Sequence, residues 1–152
     1  MSLEQLGRSY PPEIRPSYPH LLPEDTAVWS HWLQTNAHRL LRCWYDVHVG
    51  TAVPIAATAP PWLRSVADAV TRKRMDVVAQ APDALWVIEV KPIASYTALG
   101  QALAYARLVA AEYTPALPIL PTVICAETDP DLTPDYRRLG VHIEVAGHPP
   151  QM

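Results

Sequence analysis

Five residues in the stretch from Lys73 to Ala106 combine types and spacing suited to phosphate chemistry. They are Asp76, then Glu89 and Lys91 within Glu-Val-Lys, then Gln101 and Tyr105 within Gln-x-x-x-Tyr. Two carboxylates held together offer hard oxygen ligands to magnesium or manganese, which keep several waters and need few protein ligands. A lysine beside them can orient an attacking water or stabilise the negative charge that develops on a phosphoryl group. The chemistry open to this set is that of a divalent-metal site.

The elements that would position these residues follow from periodicity. From Ala84 to Lys91, the side chains of Leu85, Val87, Glu89 and Lys91 share one strand face, and Trp86, Ile88 and Val90 the other. Both faces are largely apolar, as in a central strand covered on both sides. A carboxylate and an ammonium near its end are expensive to bury without a task. Arg74 to Gln80 reads as a second strand, and Ala81-Pro82-Asp83 as a tight connection. A hairpin there brings Asp76 close to Glu89. Pro92 lacks a backbone donor and is expected to stop the strand. Ser95 or Thr97 then caps a helix to about Tyr113, packed through Leu99, Ala102, Leu103, Ala106, Val109 and Ala110. Gln101 and Tyr105 lie one turn apart on a neighbouring stripe.

An Asp on one strand, Glu-x-Lys ending the next and Gln-x-x-x-Tyr on the following helix resemble the PD-(D/E)xK nuclease superfamily, and within it the RecB-like branch. The likeness covers roughly residues 33–145; Met75 stands where the family name carries a proline. The resemblance implies a restriction-endonuclease-like α/β core and hydrolysis of nucleic acid, DNA in particular. It implies magnesium or manganese held by Asp76, Glu89 and the backbone carbonyl of Val90. Lys91 would stand beside the nucleophile or scissile phosphate, and Gln101 and Tyr105 would hydrogen-bond phosphate or the catalytic groups. Arg72, Lys73 and Arg74, just upstream of Asp76, are the candidate nucleic-acid contacts, with a solvated charge run as the alternative.

The rest of the chain supplies the framework. Residues 1–24 carry five prolines with Tyr10 and Tyr18, which exclude helix and central strand and leave an extended arm. Its Leu3, Leu6, Ile14 and Leu22 predict ordered contact with protein, either its own domain or a neighbouring chain. The domain proper spans residues 25–146, and 147–152 form a tail. A chain lacking residues 1–20 is therefore expected to fold. Asp25 or Thr26 is expected to cap a helix to about Arg42, buried through Trp29, Trp32, Leu33, Ala37, Leu40 and Leu41. Trp44 to Val49 alternates as a strand, with Tyr45, Val47 and Val49 opposite Asp46 and His48. A loop over 51–61 leads to a short helix containing Trp62, Val66, Ala69 and Val70, with proline in its first turn. A strand at Ile119 to Ala126, a short helix at Pro134 to Leu139 and an edge strand at Val141 to Val145 complete the order. The first three strands make an antiparallel meander, and the long helix crosses over to the fourth. This is an α/β fold with a mixed central sheet flanked by helices.

Composition sets bounds on function. The chain of 152 residues is 49% hydrophobic and 18% charged, as expected of one globular domain. No apolar run reaches membrane-spanning length, and the N-terminus does not read as a signal peptide. Cys43 and Cys125 read as reduced core residues, which points to the cytoplasm or to a virus particle assembled there. The net charge of −3 excludes a constitutive DNA-coating protein, but not a nuclease whose site is neutralised by metal. A second class stays open: a nuclease-fold component of a larger assembly, such as a phage particle, gripping its neighbour through residues 1–24. In that case Asp76, Glu89 and Lys91 are a structural ion pair.

Overall fold

The computed structural model describes residues 2–151, the side chain of Ala69 apart; Met1 and Met152 lie outside the described residues. In chain order the elements are α1 (Pro23–Asn36), β1 (Arg42–Val49), α2 (Pro61–Thr71), β2 (Lys73–Gln80), β3 (Leu85–Ala94), α3 (Tyr96–Tyr113), β4 (Ile119–Thr128), α4 (Thr133–Arg138) and β5 (His142–Val145). The five strands form one sheet in the order β1-β2-β3-β4-β5. β1, β2 and β3 run antiparallel, and β4 and β5 are added parallel to β3. The mixed sheet is therefore the meander plus crossover that the pattern predicts.

Three layers result because β3 is apolar on both faces. Trp86, Ile88 and Val90 pack with Trp29, Trp32 and Leu33 of α1. Leu85 and Val87 pack with Tyr105, Ala106 and Val109 of α3. α4 sits on the α3 side, where Leu132 and Tyr136 meet Ala98, Ala102, Val123 and Cys125. Both cysteines are free and buried, and burial pushes their thiols up to about 12 at Cys43 and about 11 at Cys125. No described helix is long and apolar enough to cross a membrane.

Four local expectations are corrected. β3 continues through Pro92 to Ala94, because β2 pairs with β3 only as far as Val77 opposite Ile88. Beyond that rung one edge of β3 is unpaired by β2, so a missing N–H costs nothing there, while Lys91, Ile93 and Ala94 keep their register with β4. α1 begins at Pro23 with Leu22 as its N-cap, so neither Asp25 nor Thr26 caps it. It ends at Asn36 rather than Arg42, followed by a 3₁₀ turn over Ala37–Arg39, and Leu41 is exposed. In β1, Asp46 adopts φ +54°, and the strand's alternation reverses there. Tyr45 faces α1, whereas Val47 and Val49 face α3 rather than sharing Tyr45's side.

The arm packs on its own domain. Leu6 and Tyr18 are buried, and Tyr10 exchanges two backbone hydrogen bonds with Cys43 on the edge of β1. The Trp44 indole donates to Gly7 O, and Tyr18 Oη lies 2.8 Å from Ser30 Oγ on α1. Tyr10 and Tyr18 both pack on the ring of Tyr45. The arm thus completes both apolar faces and covers a sheet edge. Removing residues 2–20 should therefore abolish folding, contrary to the expectation from sequence. Tyr18→Ala alone should lower stability by about 3 kcal/mol in urea unfolding, the usual cost of truncating a buried aromatic. An unchanged unfolding midpoint in Tyr18→Ala would detach the arm from the core.

Candidate active site

The site forms where two strands part. Ladder pairing between β2 and β3 ends at Val77 and Ile88, and the next residues outward are Asp76 and Glu89. Asp76 Oδ2 accepts the backbone N–H of Val90 at 3.0 Å, taking the place of a ladder carbonyl. Both carboxylates are buried, with Asp76 5% and Glu89 2% exposed. Lys91, two residues beyond Glu89, places Nζ 3.8 Å from Asp76 Oδ2 and 3.7 Å from Asp25 Oδ2.

Asp25 is the residue the sequence reading missed. It is 2% exposed, in the first turn of α1, and its Oδ1 has no hydrogen-bond partner. A signal was available, since Asp25, Val28, Trp29 and Trp32 are spaced i, i+3, i+4 and i+7. An acid in register with a buried apolar stripe is directed at the sheet, not at solvent. Pro23 at the first helical position also moves the cap back to Leu22 and frees the Asp25 side chain.

From the other side α3 contributes Gln101 and Tyr105, as expected. Ser95 caps α3 by accepting the Ala98 N–H, and the small Ala98, Ala102 and Ala106 let the helix lie close to the sheet. Gln101 and Tyr105 interact with each other, and Tyr105 lies near enough to Glu89 for their ionisations to oppose one another. Gln101 Oε1 and Glu89 Oε1 are buried without hydrogen-bond partners. Three of the four orphaned buried side-chain atoms among the described residues therefore belong to this one site. Orphans of this kind cost about 1–3 kcal/mol each, so their clustering sets this site apart from the rest of the core.

Electrostatics fix the protonation states. Burial, followed by the charge of Asp76, raises Glu89 to about 9, so at neutral pH Glu89 carries a proton. Burial also raises Asp25, partly offset by Lys91. Burial opposes the charge on Lys91, but Asp76, Asp25 and Glu89 together outweigh it and lift its pKa above the ordinary value. Lys91 is therefore a fixed cation and cannot serve as a general base near pH 7. Burial raises Tyr105 too, keeping its phenol protonated.

The basic trio upstream divides. Arg72 is drawn inward, pairing with Glu112 and donating to the carbonyls of Gly50 and His48. Arg74 makes two 2.6 Å hydrogen bonds to Asp46. Lys73 is exposed at the start of β2. The pairs Tyr45–Val77 and Val47–Met75 place Asp46 directly across from Asp76. Burial is the largest influence on Asp46 and works against its charge, but the hydrogen bonds and charge of Arg74, with His20 and His48 nearby, together outweigh it and hold its pKa below the ordinary value. Arg74 thus neutralises an acid beside the site while its side chain stays 38% exposed; of the three candidate nucleic-acid contacts Arg72 is the one drawn inward, and Lys73 is exposed and outside any of these pairs. Losing that neutralisation should matter. In Arg74→Ala, Asp46 is left uncompensated next to Asp76, and stability should fall by about 1–3 kcal/mol in chemical unfolding. An unfolding curve superimposable on wild type would show the pair to be incidental.

Comparison with known proteins adds no relative: no protein-family model, no curated protein and no solved structure matches the chain. The arrangement is therefore judged by its own chemistry. Among the described residues no three His, Cys, Asp or Glu donors are already drawn together as an ion-binding group. The donor set nonetheless suits a hard dication: of the three carboxylates, Asp25 and Glu89 have unpartnered oxygens, and Asp25 and Asp76 share a single lysine.

Proposed function

We infer that the chain is a divalent-metal-dependent nuclease of the PD-(D/E)xK type, hydrolysing phosphodiester bonds of nucleic acid, DNA first of all. The observation that carries the reading is the convergence of Asp25, Asp76, Glu89, Lys91 and Gln101 where β2 and β3 part, with three buried oxygens there unpartnered. A solely structural ion pair would satisfy its own acceptors.

Asp76, Glu89 and Asp25 would hold magnesium or manganese, with the Val90 carbonyl as a further oxygen. The metal would supply Lewis-acid polarisation of the phosphate and a more acidic water. The remaining steps fall to the protein. Glu89, protonated in the metal-free protein, would have to give up its proton to serve as a ligand, so metal uptake would be coupled to proton release. Lys91, held as a cation, stabilises the charge growing on the phosphoryl oxygens as the water attacks. Gln101 and Tyr105 orient the phosphate or Glu89 from the α3 side. Lys73 meets the phosphate backbone at the mouth.

A second reading rests on one observation: Lys91 already lies within ion-pair distance of two acids, Asp25 and Asp76, and any cation must compete with it. In that reading the site is a closed ion-pair network in a binding or assembly component, and Ile14 and Leu22 of the arm, both exposed, meet the neighbouring chain. A cleavage assay separates the two. The full chain, incubated with single- and double-stranded DNA and RNA, should cut at least one with magnesium or manganese and none with chelator. Asp76→Asn should be inactive. If no substrate is cut under any of these conditions, the assembly reading replaces the enzyme.

A further inference from the structure

α2 is an 11-residue helix, none of whose described side chains is buried. Trp62, Val66 and Val70 are spaced by four and form one stripe, 66%, 50% and 65% exposed, with Leu63 beside them at 37%. A helix this short is marginal in water on its own and normally draws its stability from packing an apolar face. Here the polar side is tied to neighbouring backbone and side chains without being buried, and the Asp68 side chain stays 60% exposed. Arg64 donates to the carbonyls of Ala57 and Ala59, Arg72 pairs with Glu112, and Arg64 and Asp68 line a cavity of about 600 Å³ shared with residues 50–55. The apolar face is left outward, without a charged residue on it.

We propose that this face is the contact between two copies of the chain, packed α2 against α2 antiparallel about a twofold axis at Val66. A twofold contact must be self-complementary. Centred on Val66, an antiparallel crossing sets Trp62 of each copy over the small Val70 of the other, a large residue against a small one at both ends. The four side chains leave roughly 400 Å² exposed per copy, the size of a functional patch. With the neighbouring Pro60 and Pro61, two copies bury about 1,000 Å² in total, near the lower limit for a specific interface. A weak, concentration-dependent dimer follows.

Other occupants fit less well. Nucleic acid needs cations on the contact face, and those of α2 are tied up on the opposite one. An interfacial membrane helix likewise needs Lys or Arg free along its polar side. This inference does not depend on the hydrolytic reading.

Sedimentation velocity on the full chain, over a series from low micromolar to submillimolar, tests it. Wild type should shift from monomer towards dimer, and Val66→Glu should stay monomeric with an unchanged far-UV spectrum, since Val66 supports no core contact. Val66→Cys places two thiols at the axis and should give a covalent dimer on mild oxidation, whereas Val53→Cys, also exposed, should not. A monomer at all concentrations, a dimer that survives Val66→Glu, or equal crosslinking of the two cysteine variants would each overturn the proposal. So would loss of nucleic-acid binding in Trp62→Ala with no change in mass, which would assign the face to nucleic acid.

Discussion

Lys91→Ala is expected to lower the cleavage rate by about 10³-fold while leaving the metal bound at least as tightly as in wild type. The rate loss is the size seen when a charge-stabilising donor is removed from a developing oxyanion. The metal affinity should hold or rise because Lys91 and a dication compete for Asp25 and Asp76. The structure adds a consequence that the sequence reading did not contain. Without Lys91 the two acids face each other uncompensated, so the metal-free variant should unfold more easily than wild type, and added magnesium should recover much of the difference. Single-turnover cleavage and chemical unfolding with and without magnesium check both halves. Near-wild-type cleavage would remove Lys91 from the chemistry.

Replacing Glu89 with glutamine should make the metal-free protein more stable at pH 8. The folded protein holds a proton on Glu89 up to about pH 9, whereas in the unfolded chain the group ionises near 4.5. Between those values the native state binds the extra proton, so raising the pH favours unfolding. Stability attributable to Glu89 is present below pH 4.5 and is lost as pH rises through the window, at up to about 1.4 kcal/mol per unit. Glutamine keeps the shape without the ionisation, so the slope should flatten in Glu89→Gln. With saturating magnesium the sign should reverse in wild type, because the metal takes the place of the proton and binds more tightly as pH rises. Unfolding midpoints from pH 5 to pH 9, with and without metal, measure this. Parallel pH profiles for wild type and Glu89→Gln would mean that Glu89 is ionised throughout.

The frame of the site was legible because strand and helix periods are local. The two-sided apolar pattern of Leu85 to Val90 put Glu89 and Lys91 on one strand face with Leu85 and Val87, which pack on α3, and the four-residue spacing put Gln101 and Tyr105 on one stripe of that helix. What was not legible depended on long-range geometry or on single backbone angles. Asp25 looked like a cap because a first-turn acid usually is one; its role depends on how α1 crosses the sheet. The left-handed angle at Asp46 reverses β1, and no residue type announces it, since Asp enters that region without glycine's help. Pro92 looked like a strand end because its free edge is a property of the sheet, not of the strand. The arginines looked available because their acceptors, Asp46 and Glu112, are 28 and 40 residues away in sequence.

Calorimetric titration of manganese into metal-free wild type and Asp76→Asn is the most direct test of the central claim. The account predicts saturable binding to wild type with about one proton released per site near pH 7.5, seen as a dependence of the heat on buffer ionisation enthalpy. Asp76→Asn should show little or no binding. Equal heats for the two proteins, or binding without proton release, would contradict it.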